Sequence, residues 1–82
     1  MVDYRNCTDN MFNSAMAMKN KDVDKIPTNY LYILYTKYKA ESVKLKNVDQ
    51  LRAAEAREKK QKYWNELYRR KTEYTMNAVK AW

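Results

Sequence analysis

The sequence predicts an all-α fold: a short N-terminal helix, then a two-helix hairpin whose second helix is long and basic. Three observations carry this reading. No glycine occurs among the 82 residues, and tight strand hairpins and phosphate-cradling loops normally need glycine's access to positive φ. Residues 47–82 also lack proline and are rich in Ala, Leu, Glu, Lys, Arg and Gln, the strong helix formers. Along that stretch acids precede bases by four residues at Glu55–Lys59, Glu58–Lys62 and Glu66–Arg70, an order worth about 0.2–0.5 kcal/mol per pair.

Taken from the N-terminus, residues 1–9 read as a loosely ordered tail unless Tyr4 docks on the body. Thr8, Asp9 and Asn10 are alternative N-caps for a first helix over about 10–20. Its apolar positions, Met11, Phe12, Ala15 and Met16, have helical spacing, and the Lys19 stem extends them. The methionines suit either core filling or an adaptable partner surface. Asn20–Asp24 reads as a polar turn. Pro27 then sets a boundary, with Thr28 or Asn29 as the cap of the second helix.

Residues 29–46 are ambiguous at first sight. Tyr30–Tyr38 has the aromatic and β-branched content of a strand. Against this, Leu31, Leu34, Tyr35, Tyr38, Ser42 and Leu45 recur at helical spacing, and no second strand is available to pair. A helix over 29–46 is expected. Asn47, with Gln50 three residues on, forms a capping-box pattern for the next helix. A single rod from 29 to 80 is the alternative, but two separate apolar stripes favour a hairpin. Arg52–Lys62 carries only alanines as apolar residues and reads as solvated surface. From Tyr63 onward Tyr63, Trp64, Leu67, Tyr74, Ala78 and Trp82 share one side, with Lys62, Glu66, Arg69, Glu73 and Lys80 opposite.

One domain of this size buries roughly 60% of its surface and is marginal alone, so self-association, most simply as a homodimer, is expected. The single Cys7 and the absence of histidine exclude a structural zinc site and histidine-based catalysis. Asp22/Asp24 and Glu55/Glu58 read as turn and surface acids rather than metal-gathering carboxylates. The chain is therefore read as non-enzymatic, with no metal and no cofactor. The longest apolar run, Tyr30–Tyr35, is far too short to cross a bilayer, and a reduced, cytoplasmic setting fits. An amphipathic basic helix can also lie on an anionic membrane surface, but the glutamates and the match to Tyr30–Tyr38 argue for packing.

Net charge is +7, and residues 1–28 contribute none of it. The excess lies in 29–46 and 47–82, which points to a polyanionic or acidic partner or to a solvated face. Arg52, Arg57, Lys59, Lys60, Lys62, Arg69, Arg70 and Lys71, with Lys37 and Lys39, are the candidate nucleic-acid contacts. Eight tyrosines and two tryptophans are more than a small core can hide. Tyr35, Tyr38, Tyr63, Trp64, Tyr68 and Tyr74 are the candidate stacking or interface residues, with Tyr32 alternating among the same lysines. Such residues stack unpaired bases, anchor protein interfaces or pack ring-inward with the hydroxyl in water.

The expected function is a non-catalytic nucleic-acid-binding accessory protein, RNA being favoured. The alternative is a protein-binding inhibitor or adaptor acting through the aromatic surface without nucleic acid. No family motif is present. The Lys-, Asn- and Tyr-heavy, glycine-free composition resembles small accessory proteins that AT-rich phage genomes encode to interfere with their hosts. That resemblance implies an inhibitory or counter-defence role.

Overall fold

A computed structural model describes the backbone of residues 3–80 and the side chains of residues 3–71. The chain is all-α: α1 spans Asp9–Ala17, a 3-10 turn Val23–Lys25, α2 Thr28–Leu45 and α3 Gln50–Lys80. The pairing of α2 with α3 dominates the packing, and α1 joins it against α2. The hairpin, not the single rod, is what forms.

Each helix starts where a backbone donor finds an acceptor. At α1 the choice falls on Thr8, whose Oγ1 accepts from the Met11 N–H at 3.2 Å. This helix ends at Ala17, sooner than the apolar spacing implied. At α2 the expected cap is displaced. Pro27 occupies the N-cap position and its carbonyl accepts from Leu31 N–H at 3.0 Å, so Thr28 and Asn29 lie inside the helix. Neither Asn47 nor Gln50 caps α3: Asp49 Oδ1 accepts from Arg52 N–H at 3.1 Å, and its carbonyl accepts from Ala53 at 2.9 Å. Asp49 wins because a carboxylate at a helix N-terminus meets both orphan donors and the positive end of the dipole.

The turn between α2 and α3 needs no glycine. Val48 and Asp49 both donate to Leu45 O, at 3.1 and 2.9 Å, and no described residue has positive φ. Tyr30–Tyr38 is helical because α2 buries two faces. Leu31, Leu34, Tyr38 and Ser42, at i, i+3, i+7 and i+11, are buried, and face α3. Ile33, also fully buried, lies about 160° round from Leu31, on the side that meets α1. That double burial gives the stretch its strand-like apolar density.

On α3 the buried residues are Ala53, Ala56, Tyr63, Glu66 and Leu67. The expectation of a solvated Arg52–Lys62 surface is therefore corrected: Ala53 and Ala56 are buried on the hairpin seam. Ala56 lines one hollow with the large Tyr38 ring, where a small residue permits close helix approach. Tyr63 stacks on Tyr38 with centroids 5.9 Å apart and planes 22° apart, and its hydroxyl donates to Lys19 O at 3.3 Å. The N-terminal segment also reaches the body, Tyr4 N–H donating to Thr36 Oγ1 at 3.1 Å.

Candidate nucleic-acid interface

The basic residues of α3 do not form one tract. Helical geometry at about 100° per residue sorts them onto the two edges of the seam with α2.

On the first edge most cations have internal partners. Lys59 Nζ lies 5.2 Å from the Tyr38 ring centroid, and Lys37 Nζ covers the same ring at 4.4 Å while pairing with Glu41 at 3.3 Å. Arg52 pairs with Asp49 at 3.5 Å. Arg69 donates to Glu66 Oε2 at 3.0 Å, and Lys62 lies exposed on the same side.

Arg70 is built into the fold. Its Nε donates to Glu66 Oε1 at 3.0 Å, Nη1 to Thr28 Oγ1 at 2.9 Å and Nη2 to Val23 O at 3.0 Å. It therefore ties α3 to the 3-10 turn and to the first residue of α2. Glu66, expected on the solvent side, is 6% exposed, and no buried side-chain polar atom among the described residues lacks a partner. Hydrogen bonds from Arg69 first, and then from Arg70, lower the Glu66 pKa despite its desolvation. Burial pushes Tyr63 up to about 12, with Tyr38 adding to the shift, and burial likewise raises Tyr38. These two phenols stay neutral and structural.

The second edge is different. Arg57, Lys60, Trp64, Tyr68 and Lys71 recur at i, i+3, i+7, i+11 and i+14, within an arc of about 80°. Glu55, Glu58 and Glu66 fall in a similar arc on the opposite side. Arg57 and Lys71 are exposed, Lys60 is half-buried, and Trp64 and Tyr68 are 44% and 62% exposed. Across the seam α2 contributes Tyr32, Tyr35 and Lys39, again at i, i+3 and i+7. The two stripes meet where Tyr35 and Trp64 centroids lie 5.2 Å apart, 33° between planes. Tyr32 lies 6.3 Å from Tyr35, and Lys39 Nζ 6.0 Å from the Tyr35 centroid.

Of the expected site residues, then, Tyr35, Trp64, Tyr68, Lys39, Arg57, Lys60 and Lys71 come together on this edge. Arg52, Lys59, Lys62, Arg69 and Arg70 lie elsewhere, and Lys37, paired with Glu41 over the Tyr38 ring, borders only the adjoining groove. Tyr38 and Tyr63 are core. The Tyr74 side chain lies outside the described residues. Two residues beyond the expected set extend the surface. Tyr32 borders an open groove of about 890 Å³ that Tyr4, Arg5, Thr36, Lys39 and Lys44 also line, together with Asp3 and Glu41. Arg5 is carried there by Tyr4, whose hydroxyl accepts from Arg5 Nε at 3.3 Å. The alternation of Tyr32 with Lys39 was a signal for the first; nothing local in the sequence marks the second.

Among the described residues no group of three or more His, Cys, Asp or Glu is placed to hold a metal ion. No helix among them is long and apolar enough to cross a membrane. Comparison with known protein families, characterised proteins and solved structures gave no match.

Proposed function

We propose that this chain is a non-catalytic RNA-binding protein that holds its ligand along the Tyr32/Tyr35/Trp64 edge of the hairpin. The observation that carries the reading is segregation. In α2 and α3, one edge combines aromatic rings with Lys39, Arg57 and Lys60, while the described glutamates of α3 point the other way. A solvated face with no ligand has no need of that separation, because interleaved acids and bases solubilise equally well. A polyanion gains from it, since each phosphate neutralised releases condensed counterions.

The test is binding of labelled RNA at 50 and 200 mM salt, preceded by the 260/280 nm absorbance ratio of protein purified at low salt. With three phosphates neutralised, a single strand gives a log–log slope of about −2, or roughly a 20-fold loss of affinity over that range. A salt-independent interaction, or none at low salt, refutes the reading.

A second reading, a protein-binding inhibitor or adaptor, is supported by exposed apolar residues near the hairpin turn. Val43, Val48 and Leu51, 70%, 81% and 74% exposed, lie at the end of α2, in the turn and at the start of α3, and apolar exposure of this kind suits a protein contact. Salt-tolerant capture of one protein, lost on Leu51→Ser, would favour it.

A further inference from the structure

Resting on the RNA-binding reading, we infer that the strand held on this edge is unpaired, with its bases stacked on Trp64 and Tyr32 on either side of Tyr35. The contrast between the two aromatic groups of the hairpin points there. In the core, Tyr38 and Tyr63 are stacked with planes 22° apart, and both are buried. On the edge the rings are tilted by 42° between Tyr32 and Tyr35 and by 33° between Tyr35 and Trp64. The indole is nearly half exposed, and Tyr32 and Tyr35 are partly exposed. Fully packed rings would have gained more apolar burial.

A duplex cannot use those rings, because its bases are already stacked inside and it presents phosphates outward. Laid against this edge, it would meet Lys39, Arg57 and Lys60 but bring charged oxygens over the indole. An unpaired strand satisfies both features: phosphates meet the cations and bases take the rings, a combination that is tolerant of sequence. From Arg57 to Lys71 the stripe runs about 21 Å along the axis, long enough to follow several nucleotides of a strand.

The experiment uses the full chain carrying Trp82→Phe, so that Trp64 is its one tryptophan. The probes are a 12-residue oligouridylate and an RNA duplex of the same length, at 50 mM salt. The expected result is saturable quenching of Trp64 fluorescence by oligouridylate. Trp64→Ala then weakens that binding at least about fivefold while changing duplex affinity less than twofold. Trp64→Phe, which keeps a ring, retains most of the affinity and separates stacking from any loss of fold seen by circular dichroism.

Oligouridylate binding without quenching, or equal losses for strand and duplex, overturns the inference and leaves the RNA-binding reading standing. Failure of both probes to bind overturns that reading and the inference with it.

Discussion

Replacing Arg70 with methionine keeps most of the stem and removes the guanidinium, so it isolates the latch between α3, the 3-10 turn and α2. Three bonds are lost to groups more than 40 residues distant in sequence: Thr28 Oγ1 at 2.9 Å, Val23 O at 3.0 Å and, longer, Asp24 O at 3.4 Å. Hydrogen bonds from a charged donor contribute about 1.5–3 kcal/mol each. The Arg70 side chain is 21% exposed, so water replaces part of that interaction, and Glu66 keeps Arg69 as a partner. A net loss of about 2–4 kcal/mol is expected, out of a total that for this length is roughly 4–12 kcal/mol. At about 4–8 °C per kcal/mol, the melting temperature falls by at least ~8 °C. Thermal and urea melts followed at 222 nm measure it, with Lys62→Gln as a surface control expected within about 0.5 kcal/mol. A melt unchanged to within ~3 °C would refute the argument that Arg70 belongs to the fold. It would also return Arg70 to the set of residues available to a ligand.

The same geometry sets the other expectations. The lowered Glu66 pKa means that its ionised form favours the folded state. This contribution is complete above the ordinary glutamate value of 4.5 and is lost as pH falls below it; melts from pH 7 to pH 3 should show a smaller acid loss for Glu66→Gln. Tyr63 has the opposite sign. Its pKa is raised from 10.0 to about 12, so stability falls as pH climbs through that window, and Tyr63→Phe should flatten the decline. Leu34→Ala empties a fully buried position and should cost about 2–5 kcal/mol, read as a lower urea midpoint. Arg57→Gln with Lys60→Gln should make the RNA salt slope shallower by about 1.4. Lys62→Gln with Arg52→Gln, on the opposite edge, should leave that slope unchanged.

Local chemistry alone was enough to settle the helical class of this chain. The absence of glycine, the break at Pro27, the i, i+3, i+7 recurrence of Leu31, Leu34 and Tyr38, and the propensity of residues 47–82 are all short-range properties, and they act in the chain before any packing occurs. Which capping group is used was already less legible. Thr8 was one of three candidates, and Asp49 displaced Asn47 through a difference of two residues in where the turn closes. What each side chain does on α3 was decided only by tertiary structure. Ala53 and Ala56 are buried because α2 folds back over that stretch of α3. Arg70 is drawn inward because Val23 and Thr28 supply acceptors that lie more than 40 residues away, and Glu66 accepts from it there. A helical wheel records the direction of a residue about its own axis but not where the partner helix lies. The sequence could count the cations and the rings; the position of α2 chose which edge they would share.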